Sequence, residues 1–469
     1  MAEHLRFGGG SNASVLHPIV AAAMVIAVII LLVMPRKFLI APLLAMSFLV
    51  PVGQQLVVGG FHVFILRIVL LAGLLRMASS RYRSWWGRFP GGFDEFDKLF
   101  LAWALFRALA FVLLFSQKEA FVNQIGFLWD SLGAFFLLRF LFQENEDIER
   151  AVRVLAMIAV ILASSMTYEH FRGINVFGLL GGVDVTPAMR RGSYRAQGPF
   201  AHALLAGTFG ATLPPLFLWL WARERSRTFA VIGLLASAAM VATTNCSTPI
   251  IALAAGLFGA CLWPLRGRMR LVRWGLVMVL LSLHLAMKAP VWFLIARIDL
   301  VGGSSSDHRA ELVNMFITRV SDWWLIGADS ANWGWGMWDT ANQYVGEGLA
   351  GGMATFVCFL GLIALAFRRV GRARKAVAGD RKQEWCFWLL GATLFSHVVG
   401  FFGISYFDQT RVAWFSLLAM ISAAVAPILA RVPISQGELA LTTGAPTGRP
   451  AGITPGLSSD ECVYWDGGT

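Results

Sequence analysis

Apolar runs of about 20 residues recur along almost the whole chain, and this pattern sets the strongest limit on its fold. A helix of about that length satisfies its own backbone hydrogen bonds across a hydrocarbon core of roughly 30 Å. The composition agrees, because 57% of the 469 residues are hydrophobic and 14% are charged, whereas soluble domains contain about 25% charged residues. The sequence therefore predicts an all-α, polytopic integral membrane domain over residues 1–429. The remainder, 430–469, is rich in Gly, Pro, Ser and Thr and is predicted to be disordered.

About 12 or 13 transmembrane helices are predicted when the apolar runs are set against their polar interruptions. The runs are 15–34, 38–58, 61–78, 99–115, 120–142, 151–168, 198–222, 228–244, 249–263, 274–293, 349–367, 384–402 and 409–429. Pro42, Pro51 and the Gly59-Gly60 pair interrupt the second and third runs, which can instead form a re-entrant hairpin. The first run lacks a small-residue cleavage site, so we interpret it as a retained helix rather than a signal peptide.

The charges between the runs predict the orientation of the chain. Five connections rich in Lys and Arg fall on one side under this helix count, and the positive-inside rule makes that side the cytoplasm. They are 35–37, 81–88, 223–227, 264–273 and 368–375. The mainly acidic connection 143–150 falls on the same side. Two long connections, 169–197 and 294–348, then face outward. We therefore expect a multi-pass protein of the bacterial inner membrane with two periplasmic loops.

Charge and cysteine content exclude other classes of protein. The net charge of +12 comes from short clusters between apolar runs, where topology and anionic lipid headgroups account for it, so nucleic acid is not an expected partner. The five cysteines show no C-x-x-C spacing and are interpreted as packing residues. They are Cys246, Cys261, Cys358, Cys386 and Cys462. Neither a disulfide framework nor a metal or other cofactor is expected.

The first outward loop carries three arginines on the side where positive charge is normally sparse: Arg190, Arg191 and Arg195. Arg195 precedes Gly198-Pro199 and the predicted start of a membrane helix. A guanidinium group and free amides at a helix N-terminus can together hold a phosphate. The alternative is that these arginines extend to the headgroups of the outer leaflet.

The second outward loop opens with the sequence GGSSSDHRAELV. Arg309 stands there at the beginning of a predicted helix, which 304–307 can cap, and this again suggests an anion site. The alternative is a capped surface helix whose Arg309 pairs with Asp307 or Glu311. Helical spacing over 310–320 predicts a partly folded loop rather than a linker.

Five tryptophans follow between positions 323 and 338, beside Asp339 and immediately before a membrane helix. Aromatic faces with neighbouring polar groups hold sugar rings, which makes Trp335, Trp338, Asn342 and Tyr344 candidate sugar-binding residues. An interfacial aromatic belt explains the tryptophans equally well. In the last outward turn, a local ion pair between Asp408 and Arg411 is the simplest interpretation.

These segments, taken in order, resemble the O-antigen ligase and Wzy-type polymerase superfamily over roughly residues 190–425. The matching motifs are R-x-x-G-P-F-x-H at 195–202, S-x-D-H-R within 304–309, W-W-L-I-G at 323–327, and N-x-Y followed by G-L-x-G-G within 342–352. The resemblance implies a GT-C-like helical array with a large, partly helical periplasmic loop. It also implies that Arg195 and Arg309, with Arg191 beside them, bind the diphosphate of an undecaprenyl-linked glycan.

One position departs from the family pattern. Members without a metal use a loop histidine in a His-Asn motif to activate the acceptor hydroxyl, whereas this chain has Ala341-Asn342. Asp339, Glu347 and His308 are therefore the candidate bases, and an inactive relative is the alternative.

The sequence thus predicts a metal-independent, inverting glycosyltransferase, and the missing histidine favours a repeat-unit polymerase. A ligase that transfers the glycan to lipid A core or to a protein is the alternative within this class. The expected partners are the lipid-linked glycan, its acceptor, the bilayer and other polysaccharide-export proteins.

A lipid-linked-sugar transporter or flippase and a non-catalytic scaffold are the alternatives from other classes. A transporter requires charged residues deep inside helices. The candidates are Arg67, Arg107, Asp130, Arg139 and His284.

Overall fold

The computed structural model describes residues 14–59, 61–79, 89–223, 226–297, 300, 306–334, 336–337 and 339–430. Trp335, Trp338 and nearly all of the tail predicted to be disordered lie outside these ranges. The described helices are α1 (Pro18–Val33), α2 (Ile40–Leu49), α3 (Ile65–Ala78), α4 (Glu95–Phe115), α5 (Lys118–Leu141), α6 (Asn145–Arg172), α7 (Ala203–Thr212), α8 (Pro214–Trp221), α9 (Arg227–Thr243), α10 (Ser247–Cys261), α11 (Met269–Ala286), α12 (Ser306–Thr318), α13 (Val320–Trp323), α14 (Gln343–Ala376), α15 (Arg381–Gly400) and α16 (Gln409–Leu429). Two short hairpins join β1 (Gln55–Val58) to β2 (Phe61–Phe64) and β3 (Met189–Arg190) to β4 (Ser193–Tyr194).

Seven helical stretches in the described part of the chain are long and apolar enough to cross a membrane. They are α4, α5, α6, Ala203–Trp221, Trp263–Ala286, α14 and α16. The prediction of a helical, multi-pass membrane protein is confirmed. One large core of buried apolar side chains joins most of these helices, and α11 is an exception because none of its residues is buried.

Proline and glycine residues explain where the helices depart from the predicted runs. The second run ends as α2 at Leu49, before Pro51, and the chain then forms the β1–β2 hairpin, with Gly59 at a φ of 58° in the turn. The interruption between the second and third runs is therefore a β-hairpin. The seventh run is divided into α7 and α8 because α8 begins with Pro214, which lacks the amide hydrogen needed to continue α7.

Ion pairs join two of the basic connections to acidic residues near other helix ends, at one end of the helical array. Arg36 pairs with Asp147 at 2.5 Å, and Arg369 pairs with Asp94 at 2.7 Å. We call this the basic end. These contacts bring together connections that the charge pattern places on one side of the membrane.

The outward connections meet at the opposite end, which we call the loop end. Gln409 Nε2 and Val52 N both donate to the carbonyl of Pro199, at 3.0 and 3.1 Å. Gln54 Nε2 donates to the carbonyl of Leu180 at 2.7 Å. The two hairpins, the first long loop and the last turn before α16 therefore share one surface.

The second long loop has a small core of its own. Its buried members are Leu312, Phe316, Trp323, Trp333, Val345 and Leu349. The Trp323 and Phe316 rings stack with their centroids 4.0 Å apart, and the Trp323 indole N–H donates to the Phe316 carbonyl at 2.8 Å. This core packs the loop against the beginning of α14.

A break in α14 allows this loop to join the helix through backbone hydrogen bonds. Gly352 has a φ of 68°, and Met353 N donates to the carbonyl of Trp324 at 2.8 Å. Ala328 N donates to the carbonyl of Leu349 at 3.0 Å. The W-W-L-I-G and G-L-x-G-G motifs are therefore direct structural partners.

Candidate functional site

The first loop presents its arginines on the β3–β4 hairpin. Arg191 and Gly192 form the two-residue turn, and both have positive φ, 49° and 78°. Arg191 is exposed in this turn, whereas Arg190 lies in β3 and is half-buried. The turn thus separates two neighbouring arginines that the sequence could not distinguish.

A buried carboxylate fixes the segment after Arg195. Both oxygens of Glu169, which is 0% exposed, accept backbone N–H groups, from Gln197 and Gly198, each at 2.9 Å. Asn175 Nδ2 donates to the Gly198 carbonyl at 2.8 Å. The prediction that free helix amides stand next to Arg195 is therefore wrong at these positions. The helix begins only at Ala203, and Glu169 already occupies the two amides.

Arg195 extends from this fixed segment towards the turn between α9 and α10. Its Nη2 atom lies 2.8 Å from Cys246 Sγ. The backbone is held on both sides, because Arg195 N donates to the Ala188 carbonyl at 2.9 Å and Ala196 N donates to the Thr243 carbonyl at 3.1 Å. Arg195 is half-buried, so its guanidinium group is positioned without being sealed off.

Arg309 comes to the same place from α12. Burial lowers its pKa, Asp339 and Cys246 oppose that shift, and the nearby positive charges of Arg190 and Arg195 lower the pKa further. Three guanidinium groups from the two long loops are thus close enough to interact electrostatically. We call Arg190, Arg195 and Arg309 the arginine cluster.

His202 lies beside this cluster, immediately before α7. Its ring packs against Phe407, with the centroids 5.6 Å apart. Burial lowers its pKa, the positive charge of Arg195 lowers it further, and Asp339 opposes the shift. The imidazole is therefore neutral at neutral pH and can accept a proton. The motif R-x-x-G-P-F-x-H contains both Arg195 and His202, but the sequence alone gave no reason to assign His202 a role.

Two of the three candidate bases lie at the arginine cluster. The His308 ring, on α12, is within 3.0 Å of the Asp339 backbone carbonyl through Nε2. The Asp339 side chain is exposed and interacts electrostatically with both Arg309 and His202. This contact joins the two ends of the second loop.

The third candidate base, Glu347, has a different environment. It is 2% exposed, accepts the Trp103 indole N–H at 2.9 Å, and lies 3.5 Å from Arg107 Nε. Gln343 Nε2 donates to its other oxygen at 2.5 Å. Glu347 therefore faces α4 and holds α14 against it. Glu347 is thus a structural ion-pair partner here, and its role as a base stays a prediction.

Asn342 and Tyr344 also have structural roles. Asn342 Oδ1 caps α14 by accepting the N–H groups of Tyr344 and Val345, and the residue is 1% exposed. The Tyr344 hydroxyl donates to the Val398 carbonyl at 2.8 Å. The fold uses the polar groups of both side chains, and their role in sugar binding stays a prediction. The other two candidate sugar residues, Trp335 and Trp338, lie outside the described residues.

The last outward turn does not contain the local ion pair that the sequence suggested. Arg411 Nε instead donates to the Tyr406 carbonyl at 3.0 Å, and Asp408 begins α16 with a φ of 48°. Within the described ranges, no ion pair joins Asp408 to Arg411. The backbone turn directs the arginine towards a carbonyl.

The charged residues inside the helices are held in pairs. Arg67 binds Asp130 through Nε and Nη2 at 2.8–3.2 Å. The Arg139–Asp97 pair is 0% exposed on both sides, with two contacts of 2.9 Å. Arg107 faces Glu347, and His284 Nδ1 accepts Val291 N at 3.3 Å. Fixed pairs of this kind link neighbouring helices.

In chemical terms, the site combines three cations with a neutral imidazole and an exposed carboxylate. Such a set can hold an anion and accept a proton next to it. Among the described residues, no group of three or more His, Cys, Asp or Glu side chains is arranged to hold a metal ion. No protein-family model matches the chain, and no curated protein matches it.

Proposed function

We propose that the chain is a membrane glycosyltransferase that joins glycans carried on undecaprenyl diphosphate, with a repeat-unit polymerase as the favoured form. The observation that carries the proposal is the meeting of Arg195 and Arg309, from two separate loops, at the loop end of a membrane protein. The same two arginines match the diphosphate-binding positions of the superfamily that the sequence resembles. Arg190 adds a third positive charge, and Arg191 remains available at the exposed turn.

The arginines would act on the leaving group. The acceptor hydroxyl oxygen forms a bond to the anomeric carbon with inversion, the bond from that carbon to the phosphate oxygen breaks, and the diphosphate leaves with the electron pair. Negative charge grows on the diphosphate as the bond breaks, and each preorganised donor of this kind is worth about 3–4 kcal/mol. Half-buried guanidinium groups, held by Cys246 and the Glu169-bound segment, are preorganised in this sense.

The proton of the acceptor hydroxyl needs a base within hydrogen-bond reach. His202 and Asp339 both interact with the arginine cluster, and the lowered pKa of His202 keeps its imidazole neutral. We therefore assign this role to His202, with Asp339 as the alternative. His308 positions Asp339 through its backbone carbonyl. His202 would thus replace the family histidine, whose position is taken here by Ala341.

The same proposal places the protein in a bacterial inner membrane with the loop end in the periplasm. The helices would form a GT-C-like array, and the second loop with its own core would cover the site. Arginine-rich connections at the basic end support this orientation. A transporter is the less favoured alternative, because the charged residues inside the helices are fixed in pairs.

The test uses purified protein in liposomes that contain an undecaprenyl-diphosphate-linked repeat unit. Arg195→Ala and Arg309→Ala should each reduce glycan extension by at least about a hundredfold, the scale of one lost transition-state donor. Arg→Lys should restore little, because an ammonium group cannot form the bidentate contact. Arg172→Ala and Arg319→Ala, at exposed positions of the same two loops, are the matched controls.

Full activity in either cluster variant would refute the diphosphate assignment. The phenotype of a gene deletion separates the alternatives within the class. Single repeat units on the surface indicate a lost polymerase, and unattached long chains indicate a lost ligase. An unchanged surface glycan would contradict both.

A further inference from the structure

A large cavity lies at the loop end, separate from the arginine cluster. It has a volume of about 1480 Å³ and lies between α2, the β1–β2 hairpin, α3, α4, α5 and α16. Typical pockets for small molecules measure roughly 300–1,000 Å³. The segment 407–409 separates the two sites, since Phe407 contacts His202 while Asp408 and Gln409 line the cavity.

Four residues that line this cavity each have a buried side-chain atom without a hydrogen-bond partner among the described residues. The atoms are Arg107 Nε, Gln124 Oε1, Ser131 Oγ and Gln409 Oε1. The last three residues are 0–5% exposed. Buried polar atoms without partners are rare and unfavourable, and they usually mark an unseen ligand or water. Their grouping around one cavity indicates a polar ligand that supplies both acceptors and hydroxyl donors.

The cations in the cavity define one part of that ligand. The guanidinium groups of Arg107 and Arg411 both lie over the Phe127 ring, 4.4 and 5.3 Å from its centroid. Glu347 balances one of these charges through Arg107. Within the described residues, Arg411 has no carboxylate in an ion pair. Asp408, which also lines the cavity, interacts electrostatically with Arg411. Arg411 is half-buried, so its guanidinium group remains accessible to an anion such as a phosphate.

The walls of the cavity define the apolar part of the ligand. Phe61, Leu71 and Ile125 line the cavity and are also 44–58% exposed on the outer surface of the helices. The cavity therefore opens sideways between apolar residues, beside α5, which is long and apolar enough to cross a membrane. A ligand that enters by this route carries apolar chains.

We propose that this cavity binds a membrane lipid whose headgroup carries both a phosphate and hydroxyl groups. The phosphate contacts the guanidinium groups of Arg107 and Arg411. The hydroxyls donate to Gln124 Oε1 and Gln409 Oε1, and the chains leave along Phe61 and Ile125. This inference does not depend on the proposed glycosyl transfer.

The experiment measures lipid binding to the delipidated, full-length protein in detergent by native mass spectrometry. Three lipids are compared: phosphatidylglycerol, with both groups; phosphatidylcholine, with a phosphate and a choline cation but no hydroxyl; and monogalactosyl diacylglycerol, with hydroxyls but no phosphate. Soluble glycerol phosphate and inorganic phosphate are the competitors. Phosphatidylglycerol should bind on the order of tenfold more tightly than the two other lipids, and the soluble competitors should displace it poorly. Equal binding of the three lipids would overturn the proposal, and so would efficient displacement by free phosphate.

Variants assign the two headgroup contacts. Arg411→Gln should weaken phosphatidylglycerol binding on the order of tenfold. Gln124→Leu should remove the preference for phosphatidylglycerol over phosphatidylcholine without lowering phosphatidylcholine binding. Arg153→Gln, at a half-buried pair partner at the basic end, is the control and should change neither. Unchanged lipid selectivity in both cavity variants would contradict the site, and Gln124→Leu still decides the question if Arg411→Gln does not fold.

Discussion

Neighbouring residues in the first loop have different roles because of one tight turn. Arg191 adopts a positive φ with Gly192 and is exposed, whereas Arg190 is half-buried and close enough to Arg309 to interact with it electrostatically. Glu169 also constrains Arg195. It accepts the backbone N–H groups of Gln197 and Gly198, which fixes the backbone that carries the guanidinium group. At the scale of single residues, the candidate site is built by backbone contacts as much as by charge.

The role of His202 leads to a prediction about pH. Burial and Arg195 lower its pKa, so the neutral, proton-accepting form persists below the ordinary range for histidine. If His202 is the base, the rate of glycan extension should fall only as the pH drops through this lowered pKa. His202→Gln should reduce the rate by roughly 10²- to 10⁴-fold and remove that acid limb. The measurement is the pH profile of kcat in liposomes.

Asp339→Asn is the matched comparison for this prediction. If His202→Gln keeps the acid limb and Asp339→Asn loses it, the base is Asp339. If both variants retain the wild-type rate and profile, neither residue accepts the proton.

At the scale of elements, the break in α14 is the feature on which the second loop depends. The chain crosses the helix so closely that a Cβ atom at Gly352 would lie 2.4 Å from the Leu325 carbonyl oxygen. The loop core includes Trp323 and Leu349, next to this crossing, and the same loop carries the site residue Asp339. The G-L-x-G-G motif is thus needed for packing, and it influences the site only through the loop that it holds.

Gly352→Ala should therefore destabilise the protein. A positive φ in a residue other than glycine costs about 1–3 kcal/mol, and the contact with Leu325 adds to that. Gly371→Ala in the same helix is the control, because a Cβ there meets open space and alanine is favoured in a helix by roughly 0.5–1 kcal/mol. Thermal unfolding in detergent should show a lower Tm for the first variant and an equal or higher Tm for the second. Equal stability of Gly352→Ala and wild type would show that the loop can detach without cost.

For the whole molecule, the grouping of the connections into two ends has a topological consequence. The ion pairs of the basic end involve connections that the charge pattern assigns to the cytoplasm. The hydrogen bonds of the loop end involve connections that it assigns to the outside. Because each long helix joins one end to the other, we expect the two ends to lie on opposite sides of a bilayer.

Reporter fusions test this arrangement. Fusions after Arg225 and Arg372 should be active only as cytoplasmic reporters, and fusions near Gly192 and Asn332 only as periplasmic reporters. A fusion after Arg153, next to the acidic connection, provides the control for the helix count. Any exchange between the two sets would remove the basis for a periplasmic site.

The sequence alone determined the class of protein, the position of most helices and the grouping of the loops. These properties depend on local apolar length and on charge, because a membrane helix must satisfy its own backbone. The tertiary structure alone decided which side chains meet. It directed Glu347 to α4, used Asn342 and Tyr344 for capping and packing, and brought His202 to the arginine cluster. These contacts join segments far apart in the chain, so their geometry depends on how the helices pack and not on any local pattern.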